Sequence, residues 1–468
     1  MDQGRGGGKG RSVSAAGELK RMVSQLAKEN YTRVMFRSLQ EREEGAGASW
    51  LSGLRERAFE RFEQQGFPTI EQEEWKYTNI ASLAKTRFEL ATHASTPGMD
   101  AKRLEPFIYR ESRESRLVFV NGIFYPSLSS LGALDSGILA LDLTVALQDE
   151  KYATFIREQL ERDATSEENS LASLNTAMLA GGAFILVPQG RQVDAPIHLL
   201  FISDPRADAP PAFFPRVFVL AERGSSATVI ESYVSAQDGL YWTNVVTEVW
   251  LEEDARLVHY KVQNESADAF HVATTKAVLG RSSSYNATTV TLGAQISRHD
   301  IRVSLEQEGA ECRVDGLYIV GAGQHADTHS LIDHLQPNCT SRQLYKGILD
   351  GKSRAVFNGK VFVHEGARGT DAQQTNRNLL LSKEARVDTK PQLEIFNDDV
   401  KCAHGATVGQ LEEEELFYLT SRGLHPELAQ NLLTYGFAEE VIEKIKIDSI
   451  KAQLDETILA RLHTRLEA

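Results

Sequence analysis

The sequence predicts a mainly β protein, a right-handed parallel β-helix (solenoid) flanked by N-terminal and C-terminal α-helical parts. From about residue 180, short apolar runs alternate with polar turns, and similar strand, turn and strand units begin about 25 to 33 residues apart. Such spacing is typical of solenoids, in which each coil buries its inner face only on its neighbours. No helix-length segment separates these strands, which excludes βαβ units. A two-sheet β-sandwich is the alternative, but about 220 residues of strands is long for one.

The chain divides into four parts by composition and periodicity. Residues 1–16 are rich in Gly and Ser and are predicted to be a disordered tail. Residues 17–110 are predicted to form an N-terminal helical domain, because apolar residues recur at helical spacing over residues 19–26 and a second helix is expected to begin at Ser49. Residues 111–410 are predicted to form the β-helix core.

The last part, residues 411–468, is predicted to form a C-terminal helical domain. One helix is expected to end at Gly423, a second to begin at Pro426, and that second helix to break at Gly436. The four glutamates that open this part suit a helix N-terminus, where negative charge is favoured. We expect these helices to present an apolar face to the solenoid or to a partner protein.

Composition excludes several classes of function. Of 468 residues 41% are hydrophobic, which is enough for a sizeable core, and the formal net charge is -14. That charge argues against nucleic acid or an anionic membrane as the main partner. No apolar run approaches the roughly 20 residues of a membrane span, and the N-terminus has no signal-peptide pattern. We therefore expect a cytoplasmic protein.

The three cysteines are widely separated, so neither a disulfide framework nor a structural zinc site is expected. Small residues open the second strand of several units, and the sequence predicts that they form one column along the solenoid: Ala227, Ala255, Cys312, Cys339 and Cys402. In such a column Cys312 and Cys339 are interpreted as small buried hydrophobic residues.

Cys402 differs from the other cysteines because His404 follows it in "DDVKCAHGATVGQ". Side chains two residues apart on a strand point to one face, roughly 6.6 Å apart along the chain. The thiol and the imidazole are therefore candidate ligands for one metal or contacts for one partner surface. The spacing alone is a weak signal, and a packed cysteine beside an unrelated histidine remains the alternative.

A second cluster lies in "QHADTHSLIDH", where His325, His329 and His334 accompany Asp327 and Asp333. By residue type alone these side chains are able to bind zinc or iron. On an extended strand, however, His325 and His329 are about 13 Å apart, and His334 points to the opposite face. A polar ladder on the solenoid is therefore favoured over a metal site at the three histidines.

Five stretches resemble the SufB/SufD family of the SUF iron-sulfur cluster assembly complex, and its SufD branch in particular. They are "GFPTIEQEEWKYTNIASL", "LVFVNGIFYPSLS", "SLNTAMLAGGAFILVPQGRQVDAPIHLLF", "VKCAHGATVGQLEEEELFYLTSRGL" and "LLTYGFAEEVIEKI". The resemblance implies a β-helical scaffold subunit that is not an enzyme, paired with a SufB-like subunit. It further implies that the C-terminal helices bind a SufC-like ATPase and that a cysteine desulfurase supplies sulfur. No GxxxxGK[ST] loop for ATP occurs in this chain.

The same resemblance assigns a role to the Cys402 and His404 pair. SufB-like chains carry an acidic residue directly after the motif histidine, whereas this chain has Gly405. The resemblance implies that His404 faces a SufB cysteine where the nascent cluster forms, and Cys402 matches another position of the same motif. One cysteine and one histidine are half of the usual four cluster ligands, so the others are expected from the partner.

The cluster is thus expected to be transient, with no tightly bound cofactor in this chain. The alternatives are a SufB-like scaffold and a self-associating structural β-solenoid that forms a homodimer when alone. A secreted polysaccharide lyase or adhesin also suits a β-helix, but no signal peptide is found.

Overall fold

The structure is a computed structural model that describes residues 30–43, 49–91, 98–135, 137–166, 169–205 and 209–467. The tail predicted for residues 1–16 and the helix predicted over residues 19–26 lie outside these ranges. Within the described ranges, none of the helices combines the length and the apolar character that a membrane crossing requires.

The strands and helices follow one another along the described chain. The strands are β1 (Glu89–Leu90), β2 (Arg116–Val120), β3 (Ile123–Phe124), β4 (Leu139–Asp142), β5 (Gly182–Val187), β6 (Ile197–Ser203), β7 (Pro211–Phe213), β8 (Arg216–Ala221), β9 (Ser226–Ser235), β10 (Trp242–Leu251), β11 (Arg256–Asn264), β12 (Phe270–Leu279), β13 (Ser284–Thr291), β14 (Ile296–Leu305), β15 (Glu311–Val320), β16 (His325–His334), β17 (Thr340–Leu349), β18 (Arg354–Val363), β19 (Thr370–Leu380), β20 (Arg386–Ile395) and β21 (Val400–Gly409). The helices are α1 (Tyr31–Glu43), α2 (Ser49–Gln65), α3 (Ala81–Lys85), α4 (Ala101–Leu104), α5 (Leu143–Ala146), α6 (Glu150–Ser166), α7 (Ser170–Ala177), α8 (Glu413–Ser421), α9 (Pro426–Ile442) and α10 (Asp448–Glu467).

The long strands alternate between two sheets and form a β-solenoid of about 8 turns. One sheet, here the A sheet, has the order β20-β18-β16-β14-β12-β10-β8-β5-β4, and the other, the B sheet, has the order β21-β19-β17-β15-β13-β11-β9-β6-β2-β3. From β8 onward the neighbours in each sheet are parallel. Trp242 pairs with Phe270 in the next coil, 28 residues later, and Arg354 pairs with Arg386, 32 residues later. The mainly β solenoid with flanking helices is therefore confirmed.

Alternate residues of each strand face the space between the sheets and build the main core. One column of the A sheet consists of consecutive inward-facing residues, Val249, Ala277, Val303, Ile332 and Val361, and all are at most 1% exposed. Because the side-chain period of a strand is two, this packing determines the register of every coil.

The turns that precede the B-sheet strands use left-handed backbone. In six consecutive coils the same turn position has φ between 53° and 73°, at Gly224, Asp254, Ser282, Gly309, Asn338 and Gly369. Gly, Asn and Asp adopt this conformation most readily. Each of these residues donates its backbone N–H to a carbonyl of the following coil at 2.7 to 3.2 Å. The turns therefore extend the hydrogen-bonded stack beyond the strands.

The small residues that open the B-sheet strands occupy two columns, so the prediction of one column was wrong. Ala227, Cys312 and Cys402 share a column through successive pairings, whereas Ala255 and Cys339 lie two positions earlier in the neighbouring column. Ala227 and Cys312 lie three residues after the left-handed turn residues Gly224 and Gly309, whereas Ala255 and Cys339 directly follow Asp254 and Asn338, so the small residues near the turns do not share one register. The burial expected of Cys312 and Cys339 is confirmed, since they are 4% and 0% exposed.

Helices cover the outside of the solenoid at several places. Buried apolar residues of α2, α5 and α6 contact the outer face of the A sheet at Phe184 and Phe218. Helices α5, α6 and α7 lie between β4 and β5, so the described part of residues 111–410 contains three α-helices besides its strands.

The C-terminal helices pack against the outer face of the B sheet. Val441 and Ile450 join a buried cluster with Ile230 and Leu317. Helix α9 runs without interruption through Gly436, so the predicted break was wrong. A glycine costs about 1 kcal/mol in a helix interior, and packing of the neighbouring residues outweighs it.

We predict that the three cysteines differ in their reaction with a thiol reagent in the folded protein. Cys312 and Cys339 are buried, whereas Cys402 is partly exposed, so Cys402 is expected to react first and the other two only on unfolding. Mass spectrometry after timed labelling measures the order. Equally fast labelling of all three thiols in folded protein would contradict the described packing.

Candidate functional site

The two ends of the solenoid are built differently. At the first end β4 pairs antiparallel with β5 and β3 with β2, so the stack begins with reversed strands. At the other end β20 and β21 are the last strands of the A and B sheets. In the described part of the chain no strand covers either of them. We call this last coil, β20 and β21 with their inward-facing side chains, the open end.

The open end presents side chains that continue the interior columns. Cys402 follows Ala372 in the register, and His404 follows Gln374. In earlier coils these columns are buried, but nearly all of β21 is exposed. The sequence prediction that the thiol and the imidazole share one face of a strand agrees with this register.

The two side chains have different surroundings. Cys402 packs at the edge of a small apolar cluster that includes Val361, Ala372 and Leu393, and burial raises the pKa of its thiol. His404 is exposed. In the described structure its imidazole has no hydrogen-bond partner, so both ring nitrogens are available.

Neighbouring groups give the open end a mixed character. Ile395 and Val408 are 38% and 47% exposed although they occupy inward positions. Thr389 Oγ1 donates to Asn376 Oδ1 at 2.8 Å and links the two sheets beneath the open end. An apolar rim around a thiol and an imidazole is suited to contact with another protein surface.

A second exposed apolar surface lies beside β21. A groove between β21 and helix α9 is lined by Val408, Leu432 and Phe437, among others. Phe417 on α8 is 73% exposed and Leu428 on α9 is 52% exposed. An exposed apolar groove of this kind, with further exposed apolar side chains on the same two helices, is typical of an interaction site.

The predicted histidine cluster is divided between two faces of β16. His334 faces the interior, where its Nε2 lies 2.9 Å from Ser341 Oγ. His325 and His329 face the outside, against the segment that links α2 to α3. Among the described residues, no group of three or more His, Cys, Asp or Glu side chains is placed to hold a metal ion.

The outward histidines belong to an ion-pair network that fixes this N-terminal segment. Arg298 Nη1 donates to Asp327 Oδ2 at 2.6 Å, and the Arg298 guanidinium stacks on Trp75 at 3.9 Å. His329 Nε2 lies 3.1 Å from Asp327 Oδ1, and its Nδ1 lies 3.0 Å from Glu74 Oε2.

The network changes the ionisation of its members. Burial opposes the charge of Asp327, but Arg298 and then His329 outweigh it and hold the pKa of that carboxyl well below its usual range. Burial also opposes the charge of His329, yet Asp327 prevails and raises the pKa of His329 to about 9. The role that this arrangement supports is a clamp between the N-terminal segment and the solenoid.

Sequence reasoning did not find the partners of these groups. Glu74, Trp75 and Thr78 lie within "EEWKYT", more than 220 residues before the side chains that they contact. Gln374 was also missed, because it lies among polar residues in which period-two alternation is invisible. In the sequence, the one signal that this segment packs against the solenoid was Trp75, an aromatic residue among charged ones.

The architecture defines a class of protein: a β-solenoid with helices along its outer faces and one end that no described strand covers. Residues 26–199 match the family described as "SufBD protein N-terminal region", and residues 201–437 match "SUF system FeS cluster assembly, SufBD core domain". The chain therefore belongs to the SufBD family of the SUF iron-sulfur cluster assembly system.

Individual relatives extend along most of the chain. An iron-sulfur cluster assembly SufBD family protein of Synechocystis sp. is 37% identical over 429 residues, which cover 89% of this chain and 92% of the relative. Iron-sulfur cluster assembly protein SufD of Escherichia coli is 34% identical over 406 residues, covering 86% and 90%. SufD of Bacillus subtilis is 27% identical over 423 residues, covering 87% and 92%. The chain is thus a homologue of SufD.

We predict that His329→Gln destabilises the protein in a pH-dependent way. The folded pKa of about 9 exceeds the ordinary value of about 6.5, so the stabilisation by the cation is complete below about pH 6.5 and is lost as the pH rises through 9. The difference in unfolding free energy between wild type and variant, up to about 3 kcal/mol, should therefore shrink between pH 6 and pH 10.

Denaturant titrations at both pH values measure this difference. The control is His364→Gln, because His364 pairs with Asp333 at the surface and is 40% exposed there, where an ion pair contributes little. A loss of stability for His329→Gln that is equal at pH 6 and pH 10 would show that the charge of the imidazole is not involved.

Proposed function

We propose that this chain is the SufD-like, non-catalytic scaffold subunit of a SUF complex. It pairs with a SufB-like subunit through the open end, binds a SufC-like ATPase through its C-terminal helices, and receives sulfur indirectly from a cysteine desulfurase. The nascent iron-sulfur cluster is its cargo, assembled between the two subunits, in the cytoplasm. The observation that carries this proposal is the uncovered inward face of β21, which bears Cys402 and His404.

The open end supports pairing with a second solenoid. An uncovered last coil leaves apolar inward residues such as Ile395 and Val408 in water, and another coil placed on it buries them. The unpaired edge of β21 also offers backbone donors and acceptors for strand addition. Pro391 in β20 has no N–H, which makes β20 the poorer edge for such pairing.

The ligand count supports a partner that contributes to the cluster. A cluster usually takes about four thiolate or imidazole ligands, and the open end offers one of each. Cys312 and Cys339 are sealed in the interior and do not reach this face. The remaining ligands therefore come from the second subunit, and the half site alone does not retain the cargo.

The SufD-like rather than SufB-like role rests on the motif and on the relatives. Gly405 occupies the position where SufB-like chains are expected to have an acidic residue. A Cβ atom added there would meet nothing within 4 Å, so packing within this chain does not demand the glycine. Two of the relatives carry the name SufD.

The exposed surface of α8 and α9 supports ATPase binding. This scaffold is proposed to respond to ATP only through a partner whose shape changes on binding the nucleotide. The buried sides of α9 and α10 are already occupied by the B sheet. Phe417 and Leu428 are exposed apolar side chains and are available for a partner.

We predict that His404→Ala abolishes most cluster assembly and leaves the fold intact. The imidazole is exposed and opens no cavity when removed, so the cost in stability should stay within about 0.5 kcal/mol. Iron and acid-labile sulfide in the co-expressed complex, together with a melting curve, measure both effects. Cys402→Ser should do less harm, because the dominant cysteine is expected on the partner.

The matched control is His364→Ala, which removes an imidazole that binds Asp333 away from the inward face. Normal cluster content in the His404→Ala complex would refute the half site. Homodimers of the purified chain with no affinity for a SufB-like subunit would favour the self-associating solenoid instead.

We predict that Phe417→Asp and Leu428→Asp weaken ATPase binding by about tenfold or more, because each places a charge in a desolvated contact. Titration calorimetry with the SufC-like ATPase measures the affinity. Deletion of the tail is a poorer test, because α9 and α10 cover apolar residues of the B sheet.

The control for these substitutions is Leu459→Asp, at a 44% exposed leucine that lies on α10 and not on α8 or the first turn of α9. Unchanged affinity in both test variants would move the docking site away from α8 and the first turn of α9.

A further inference from the structure

The interior of the solenoid becomes polar in the coils next to the open end. One inward column of the B sheet passes from Ala287 and Val314 to Gln343 and Gln374, and then to His404. Gln343 and Gln374 are 4% and 1% exposed. A valine in their place would avoid the cost of burying an amide, so the two glutamines are not explained by packing alone.

Hydrogen bonds orient the two buried amides. Gln343 Nε2 donates to Ser330 Oγ at 2.9 Å, and Gln374 Nε2 donates to Gln343 Oε1 at 2.7 Å. The remaining polar atom, Gln374 Oε1, is buried and has no hydrogen-bond partner among the residues that the structure describes. An unpaired buried acceptor is costly, typically by about 1 to 3 kcal/mol.

Packing restricts the Gln374 side chain as well. A Cβ atom added at Gly359, on the facing strand, would lie 2.4 Å from Gln374 Nε2 and would also meet its Cδ. The amide therefore fills space that only a glycine leaves open. The Gln374 amide therefore packs against the backbone of Gly359 and is hydrogen-bonded to Gln343 in the preceding coil.

The next residue of this column is His404, whose imidazole likewise has no hydrogen-bond partner in the described structure. Paired residues of neighbouring strands lie about 4.8 Å apart, which is close enough for a hydrogen bond between their side chains. The amide oxygen without a partner thus belongs to the residue that is paired in register with His404, whose imidazole carries a donor N–H.

We propose that Gln374 is a positioning residue for His404. Its Oε1 accepts the N–H of one ring nitrogen, which selects one tautomer of the imidazole and leaves the lone pair of the other nitrogen facing the open end. A hydrogen bond of this kind orients histidine ligands toward iron and other metals. The positioning stands on the contacts above, whereas its consequence for the cargo rests on the proposed function.

The tautomer of His404 is measured by nitrogen NMR of the full-length chain labelled with ¹⁵N-histidine, at a pH about two units above the ordinary imidazole pKa. Loss of signals in His404→Ala assigns the resonances. Wild type should show one predominant tautomer, and Gln374→Met, which keeps the volume but not the acceptor, should show a mixture. Gln374→Glu keeps an acceptor and should restore the single tautomer.

The matched control is Gln373→Met, the same substitution one residue away on the exposed outer face of β19. It should leave the tautomer as in wild type. A mixture in wild type, or a single tautomer in folded Gln374→Met, would overturn the proposal. If Gln374→Met does not fold, the wild-type and Gln374→Glu spectra decide.

Cluster content of the co-expressed complex then separates the two proposals. Gln374→Met should lower it by about tenfold, as expected for loss of an outer partner of a ligand, and Gln373→Met should not. Full content in Gln374→Met beside loss in His404→Ala would refute the positioning role alone. Full content in His404→Ala would refute the proposed function and leave the tautomer result standing.

Discussion

Stacking of coils is the constraint on which the rest of this structure depends. A coil has no core of its own, so each buries its inward side chains on the coils before and after it. The column from Val249 to Val361 continues through five coils for this reason. The first and last coils each lack one neighbour, so their inward side chains have to be covered in another way or stay exposed. Antiparallel strands close the first end, and none of the described strands covers the last coil, with β20 and β21.

Polar groups inside such a stack are tolerated where they find partners. Glu231 in β9 lies 2.8 Å from His259 in the next coil. Burial opposes ionisation of Glu231, but the hydrogen bond and charge of His259 outweigh it and lower the pKa of that carboxyl to about 2. Burial lowers the pKa of nearby Lys261 to about 8. The buried oxygen of Gln374 departs from this rule beside the open end, where a group from His404 is able to complete it.

Each face of the solenoid contacts a different part of the chain or is left exposed. The outer face of the A sheet receives the N-terminal segment through the clamp of Arg298, Asp327 and His329. The outer face of the B sheet receives α9 and α10, while Phe417 on α8 and Leu428 on α9 are exposed to solvent. The open end is the surface proposed for a second subunit, and it adjoins the groove beside α9, since Val408 belongs to both.

The sequence alone was sufficient for the repeat, the β-solenoid, the helical tail and the shared face of Cys402 and His404, because these follow from local periodicity. It was insufficient for the register of Cys339, since small residues occur at two different distances after the turns and the local pattern does not separate them. It also missed the clamp, because contacts between Glu74 and His329 join segments 255 residues apart. That Gln374 faces inward, and that the last coil stays uncovered, was decided only when the coils were stacked, because a polar alternation does not distinguish inside from outside.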